Sequence, residues 1–233
     1  LVYKGIIEEI KSYSTAESAQ RHASFFKTGK GEYSEGDLFL GVNSPTLWKI
    51  AKKYFKTASY DDLQKMLENP YHEIRVCAVL ILVLKFKHCR GEKEKKEVFD
   101  FYMKNIRYVN NWDLVDISAP HIVGPVAFDD DGVLFELAKS GRLWEERISV
   151  VATLYFIKQG RFDVTLSLGK YFLTHRHDLM HKAVGWMLRE VGKKDEKVLC
   201  DFLDKHINQM PRTMLRYAIE RFPEDKRKSY LLR

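Results

Sequence analysis

One carboxylate interrupts a row of basic residues that recurs at the same position of successive apolar segments. The basic positions, each followed by an apolar run of helical character, are Arg75, Arg147, Lys182 and Arg216. Their separations are 72, 35 and 34 residues, so one position of the series is skipped between the first two. Asp116 lies in that gap. A row of cations with a single acid predicts an anion-binding surface with a chemical centre, which favours nucleic acid as the partner and an enzyme as the class of protein.

Tryptophans stand one helical turn away from three of these charged positions. Residues i, i+3 and i+4 share one face of a helix, so we expect Trp112 beside Asp116. Trp186 stands in the same relation to Lys182, and Trp144 to Arg147. Aromatic planes among cations suit contacts to sugars and bases beside phosphates. Tryptophans at helical spacing more often pack in a core, and that alternative stays open.

The acidic residues of this segment also have structural explanations. Asp113 lies in the first turn of its helix, where exposed backbone N–H groups favour a carboxylate, so we predict a capping role for it. Asp116 lies about one turn deeper, where that explanation weakens. Its structural alternative is a buried ion pair with Arg147. The basic row has its own alternative, an ordinary solvated surface, against which the shared position in the repeat argues.

Size, composition and charge are compatible with a DNA-binding enzyme. The chain has 233 residues, of which 45% are hydrophobic and 30% charged, as in globular domains. Its 39 Lys and Arg against 32 Asp and Glu give a formal net charge of +7, which favours a polyanionic partner. No apolar stretch approaches the roughly 20 residues of a membrane span, and no signal-peptide pattern is present. We therefore expect a cytoplasmic monomer without membrane association.

The common motifs of cofactor, metal and acyl-transfer sites are absent from the sequence. Gly29-Lys30-Gly31 lacks the spacing and the following Ser or Thr of a P-loop. His175-Arg176-His177 forms a loop cluster without a second ligand pair at metal-binding spacing. The 3 cysteines are an odd number without Cys-x-x-Cys spacing, and no nucleophile motif accompanies them. We expect neither a cofactor nor a metal.

Helical periodicity runs through nearly the whole chain, and turn residues divide it into short helices. From residue 60 onward the helices pair, with a repeat length in the thirties typical of a HEAT-type α-solenoid. Such pairs stack because one pair alone cannot bury its apolar faces. We predict an all-α single domain with a cap over 1–58, paired helices over 59–222 and a tail over 223–233. Continuous helices are expected over 112–125 and 143–158, and one irregular stretch over 28–43.

Several blocks of the chain resemble the HEAT-repeat DNA alkylation repair family, the AlkD-like DNA glycosylases. The fairly specific blocks are Asn111-Trp-Asp-Leu-Val-Asp116, Trp144-Glu-Glu-Arg147 and Lys182-Ala-Val-Gly-Trp-Met-Leu-Arg-Glu190, and the stretch from Phe25 to Pro45 is similar too. The likeness spans nearly the whole chain. It implies an all-helical, C-shaped fold with a basic concave groove. It also implies excision of positively charged N3- and N7-alkylated purines from duplex DNA, with the lesion left stacked in the duplex.

The same resemblance assigns roles to individual residues. Asp116 matches the catalytic carboxylate, and Arg147 matches a phosphate-binding cation near the site. Trp112 and Trp186 match the aromatic pair that contacts the deoxyribose of the lesion. The remaining residues that we expect to contact DNA are Arg75, Lys182, Arg189, Arg216, Lys27 and Phe25.

The chain departs from the family pattern at two places. Phe25 or Phe26 falls where some members place an active-site tyrosine, so a hydroxyl contact is absent here. Thr46-Leu47-Trp48 replaces basic residues that are common in the family, so one contact to the DNA backbone lacks its cation.

The function predicted from these residues is that of a monofunctional DNA glycosylase acting on double-stranded DNA. A purine alkylated at N3 or N7 is already cationic and departs neutral, so a single carboxylate suffices where ordinary glycosidases need two. Two other functions stay open. A non-catalytic family member would bind branched or distorted DNA without releasing a base. A HEAT-type adaptor between proteins would explain the repeats and tryptophans, but not the basic row.

Overall fold

The computed structural model describes all 233 residues, and its regular elements are helices. The predicted all-α fold is confirmed, and one isolated bridge, between Leu38 and Tyr71, is the nearest approach to strand pairing. None of the helices is long and apolar enough to cross a membrane. Contacts group the chain into two compact units, Leu1–Ser118 (unit 1) and Ala119–Arg233 (unit 2). The domain boundaries that we placed at 58 and 222 stay predictions.

Seven α-helices form unit 1, and α5 is its centre. They are α1 (Val2–Ser12), α2 (Ala16–Phe25), α3 (Ser44–Tyr54), α4 (Tyr60–Leu67), α5 (His72–Lys87), α6 (Glu92–Lys104) and α7 (Trp112–Ser118). α5 is apolar around nearly its whole circumference, the pattern of a helix buried on all sides. It packs against α3 and α7 and against α4 and α6, so it is covered by the neighbouring helix pairs.

Nine α-helices form unit 2, where α13 is the central element. They are α8 (Val123–Ala127), α9 (Gly132–Ala138), α10 (Leu143–Val151), α11 (Thr153–Lys158), α12 (Asp163–Tyr171), α13 (Asp178–Lys194), α14 (Glu196–His206), α15 (Arg212–Ala218) and α16 (Glu224–Leu231). α13 packs against α10 and α15, and against α12 and α14. Helices α10, α13 and α15 therefore stack on one another, and each is the second helix of a pair. This is the arrangement that the repeat pattern predicts.

The helices predicted over 112–125 and 143–158 are both interrupted. The segment 112–125 contains Pro120, which lacks an N–H and disfavours a helical residue before it, and the structure has α7 and α8 instead. The segment 143–158 divides at Ala152 into α10 and α11. There the Thr153 hydroxyl donates to the Val150 carbonyl (2.7 Å), a local bond of the kind that competes with helical backbone hydrogen bonds. The predicted tail also contains a helix, α16, over Glu224–Leu231.

A glycine lets α13 and α15 approach closely. A Cβ atom at Gly185 would lie 2.5 Å from Tyr217 Cβ and 2.6 Å from the Met214 carbonyl oxygen, both on α15. Nothing lies within 4 Å of a Cβ atom placed at Gly5 on α1. The glycine before Trp186 therefore sets the separation of these two helices.

Gly185→Ala should lower the free energy of unfolding by about 1–3 kcal/mol, because the new methyl group overpacks the contact between α13 and α15. Gly5→Ala is the matched control and should raise it by up to about 1 kcal/mol, because alanine favours a helix where there is room. Urea titration followed by circular dichroism measures both. Equal effects at the two glycines would contradict the close-packing explanation.

Candidate functional site

A cavity of about 660 Å³ opens in unit 1 between α2, the start of α3, α5 and α7. We call it the α7 cavity, because α7 supplies both the tryptophan and the acid that the sequence singles out. Its walls include Phe25, Phe26, Val76, Leu80, Trp112 and Asp116. Trp112 and Asp116 thus lie in one wall, the neighbourhood that their spacing on a helix predicts. Asp116 is partly accessible.

Stacked aromatic rings form one side of the α7 cavity. Phe26 stacks on Trp112 with a ring-centroid distance of 5.4 Å and on Phe39 at 5.0 Å. Phe25 meets the edge of Trp112 at 6.1 Å, and its side chain is 66% exposed. The sequence left open which phenylalanine lines the site. Both do: Phe26 is the buried support of Trp112, and Phe25 is the exposed ring.

Both ends of α7 are held by side-chain hydrogen bonds. At the N-terminal end, Asn111 accepts from the Trp112 backbone N–H (2.8 Å) and donates to the Ser34 hydroxyl (2.6 Å). At the C-terminal end, the Ser118 hydroxyl donates to the Leu114 carbonyl (2.6 Å) and lies 2.9 Å from the Tyr102 hydroxyl. Burial raises the pKa of that tyrosine well above its usual range, so it stays a neutral partner.

Asp113 contacts its own helix, as its predicted capping role requires, and it also contacts α5 through His72. One carboxylate oxygen accepts from the Leu114 backbone N–H (2.9 Å), a local contact in the first turn. The other accepts from His72 Nε2 at 2.7 Å. His72 is buried and packs its ring against Phe26 and Phe39, each at 4.8 Å. This histidine, which the sequence did not suggest, therefore joins α5 to α7 and supports the aromatic stack.

Arg75, predicted to contact DNA, is an internal residue. It is 4% exposed, and its guanidinium forms an ion pair with Asp37 at 2.8 Å. It also donates to the carbonyl oxygens of Asn69 (3.0 Å) and Pro70 (3.2 Å). A guanidinium buried among these partners is not accessible to a phosphate. Arg75 is therefore not one of the DNA contacts. Its contacts instead attach the irregular stretch 28–43 to the start of α5.

Glu73 is a second internal residue that sequence reasoning missed. Its buried carboxylate accepts from the backbone N–H groups of Leu40 (2.8 Å) and Gly41 (2.7 Å) and from His22 Nδ1 (3.2 Å). Gly41 has a positive φ of 76°, and a Cβ atom there would lie 2.3 Å from the backbone of α2 at Ser18. Glu73 and Gly41 together hold the loop against α2, and this loop forms part of the cavity wall.

The predicted residues of unit 2 differ in how accessible their charges are. Arg147 is 5% exposed and donates from Nη1 to the Leu179 carbonyl at 2.6 Å, so it is largely an internal residue. Lys182 lies 2.9 Å from Asp178 and lowers the pKa of that carboxyl group. Arg189 forms an ion pair with Glu220.

Arg216 and Trp186 also have surface that a partner could reach. Arg216, on α15, is exposed, and Trp186, on α13, is half-buried between its neighbours. Trp144 is half-buried in the first turn of α10. The proposed contacts of these residues to DNA stay predictions.

Lys27 adopts an unusual backbone conformation next to the α7 cavity. It is exposed and has a φ of 55°, the one positive φ among non-glycine residues. L-residues pay roughly 1–2 kcal/mol in this region, whereas glycine adopts it freely.

Lys27→Gly should therefore be more stable than Lys27→Ala by about 1 kcal/mol, because only alanine pays for the left-handed backbone. Both substitutions remove the same charge, so each should reduce the salt dependence of duplex binding by about one unit if Lys27 contacts one phosphate. Thermal unfolding and binding titrations at several salt concentrations measure the two effects. An unchanged salt slope in both variants would remove Lys27 from the DNA-binding set.

Comparisons with known proteins identify the family and the fold. The sequence profile described as "DNA alkylation repair enzyme" matches residues 6–222. No curated protein matches the chain. Among solved structures, one described as a predicted DNA alkylation repair enzyme from Enterococcus faecalis has a TM-score of 0.68 at 14% identity. The match covers 91% of this chain and 97% of that one, and at this identity it shows the shared fold alone. Since the profile covers nearly the whole sequence, the chain belongs to the DNA alkylation repair enzyme family.

Proposed function

We propose that the protein is a DNA glycosylase that hydrolyses the N-glycosidic bond of cationic N3- and N7-alkylated purines in duplex DNA. The observation that carries this proposal is the α7 cavity, in which Asp116 shares a wall with Trp112 beside the exposed ring of Phe25. A carboxylate next to aromatic faces suits a reaction in which positive charge develops on a sugar. Membership of the DNA alkylation repair family supports DNA as the partner.

The proposed reaction needs no general acid. The alkylated purine carries a positive charge, takes both electrons of the bond to C1′ and leaves as a neutral base. The sugar becomes an oxocarbenium-like cation, which the Asp116 carboxylate stabilises electrostatically. Asp116 also orients a water molecule, which adds to C1′ and releases one proton to the solvent, leaving an abasic site. The Trp112 ring adds a cation–π contribution on the sugar side.

Contacts to the DNA backbone are proposed for the accessible cations. Lys27, Lys182 and Arg216 expose their charged ends at least in part, and Arg189 would exchange its ion pair with Glu220 for a phosphate. Arg147 is too buried to bind a phosphate directly. Its hydrogen bond to the Leu179 carbonyl fits a role in positioning α10 against the start of α13. The role of Trp186 as an aromatic contact to the sugar stays a prediction.

Release of free base from a duplex containing N7-methylguanine tests the proposed function. We expect single-turnover release of 7-methylguanine together with an alkali-labile abasic site, and none from an unmodified duplex. Salt-dependent duplex binding without any base release would favour the non-catalytic binder of distorted DNA. The absence of duplex binding at low salt would leave neither DNA function standing, because phosphate contacts dominate such affinities.

A further inference from the structure

An open groove of about 360 Å³ lies between α12 and α14 on the surface of unit 2. Its floor is apolar, because Phe202 is buried there and Leu166 and Val198 are half-buried. A Cβ atom at Gly169 would lie 3.4 Å from Phe202 Cζ, so the ring rests against the backbone of α12. The groove therefore offers an aromatic and aliphatic surface that no other part of the chain covers.

Within unit 2, the groove faces away from the residues proposed to contact DNA. α13 lies beneath α12, where a Cβ atom at Gly169 would be 3.7 Å from Val184 Cγ1 and 3.8 Å from Leu188 Cδ2. Successive residues of an α-helix are rotated by roughly 100°. Lys182 and Trp186 therefore stand on the side of α13 opposite to these two contacts. A partner in the groove would leave them accessible.

The rim at one end of the groove is positively charged. Lys170 lies in the last turn of α12 and Lys205 in the last turn of α14, where the helix dipole favours cations, and both are exposed. His206 packs its ring against Phe202 at 4.7 Å. Burial, and then the charges of the two lysines, lower the pKa of His206. Both lysines are thus close to the same ring at the end of the groove.

The positive charge of this rim is not neutralised inside the chain. The three acids of α14 each pair with another cation: Asp201 with Lys197 (2.7 Å), Asp204 with Arg233 (2.6 Å) and Glu196 with Lys226 (2.7 Å). No carboxylate forms an ion pair with Lys170 or Lys205. The two lysines are therefore available to an anionic partner.

An apolar floor below a positive rim fits an acidic polypeptide better than a nucleic acid. Carboxylates of such a segment would complement the rim electrostatically. An apolar side chain beside them would displace water from the floor, which is favourable. Duplex DNA would bring phosphates to the rim, but it has no apolar side chain to fill the groove.

We propose that the groove between α12 and α14 docks an acidic segment of a partner protein. One large apolar side chain of that segment enters the groove against Phe202, and neighbouring carboxylates pair with Lys170 and Lys205. This interaction adds a protein-binding surface to the first helices of unit 2, and it does not depend on the proposed glycosylase activity.

Selection of short random peptides displayed on phage, with the full chain immobilised, tests the proposal. We expect the selected peptides to combine several Asp or Glu residues with a Leu, Phe or Trp. In anisotropy titrations, the double variant Lys170→Glu, Lys205→Glu should bind these peptides about 10-fold more weakly or worse, because it repels their carboxylates. Ser167→Phe, at an exposed position of the groove, should weaken binding similarly by filling it without a change of charge.

The matched control is the double variant Lys139→Glu, Lys158→Glu, which reverses two exposed lysines of unit 2 outside the groove. It should bind the peptides nearly as well as the unaltered chain. Failure to select any acidic peptide that the groove variants bind more weakly than this control overturns the proposal.

Duplex titrations of the same variants decide between a protein and DNA as the partner. Both double variants change the formal charge by the same amount, so their duplex affinities should fall equally if the groove does not contact DNA. A loss of duplex affinity and of salt dependence confined to the Lys170→Glu, Lys205→Glu variant would make these lysines phosphate contacts. That result would overturn the docking site.

Discussion

Asp116→Asn should slow the release of 7-methylguanine by about 100-fold or more while duplex affinity stays nearly constant. The amide keeps the size of the side chain but removes the negative charge that stabilises the developing sugar cation. A 100-fold loss corresponds to roughly 3 kcal/mol of transition-state stabilisation. Affinity should rise slightly, if it changes, because one charge that repels phosphate has been removed.

Single-turnover release assays and duplex titrations of the same preparations measure the two quantities. Asp100→Asn is the matched control, because Asp100 is an exposed residue of α6 paired with Lys96, and such surface pairs contribute little. It should leave release and affinity unchanged. Release at the unaltered rate in the Asp116→Asn variant would remove this carboxylate from the mechanism.

Trp112→Ala should affect both activity and stability. The ring is stacked on Phe26 and meets the edge of Phe25, and aromatic pairs contribute about 0.5–1.5 kcal/mol each beyond their buried area. We therefore expect a loss of about 2–3 kcal/mol in the free energy of unfolding. A tryptophan standing wholly in an open groove would cost less than this. Base release should fall more than 10-fold at temperatures where the variant is still folded, because the sugar loses an aromatic face.

Two further substitutions separate the role in catalysis from packing. Trp112→Phe keeps an aromatic face and should retain part of the activity. Trp48→Ala removes a half-buried tryptophan of α3 and should cost stability without a specific loss of base release. Thermal melting together with release assays distinguishes these outcomes. A loss of release that follows the fall in melting temperature equally in Trp112→Ala and Trp48→Ala would make Trp112 a packing residue.

The repeating part of the fold could be predicted from the sequence because it depends on local periodicity. Apolar positions at helical spacing predict helical pairs from residue 60 onward, where the structure has α4 (Tyr60–Leu67) and α5 (His72–Lys87). The same periodicity, applied to the spacing between Trp112 and Asp116, places both residues in one cavity wall. The spacing of apolar residues does not show where one residue interrupts a helix. The helix breaks at Pro120 and Ala152 therefore do not follow from it.

The supporting residues of the site could not be predicted because their partners are distant in sequence. Arg75 has the repeat position of a surface cation, but Asp37 lies 38 residues earlier and binds it inside the fold. In the sequence, Glu73 is an ordinary acidic residue in the first turn of a helix. Its partners Leu40 and Gly41 come near it only in the folded chain. A partial signal was available in Gly41, since a glycine between apolar residues often marks a close backbone approach.

The hydrogen bonds at both ends of α7 tie this seven-residue helix to the cooperative unfolding of unit 1. A helix this short would fray by itself, but Asn111 and Ser34 hold one end and Ser118 and Tyr102 the other. Its amide protons should therefore exchange with solvent only when unit 1 opens as a whole, at the slow rate of α5. We then expect no partly unfolded form in which α7, with Asp116, is unfolded while the rest of unit 1 stays native. On heating, the proposed base release and the part of the circular dichroism signal that unit 1 contributes should therefore disappear together.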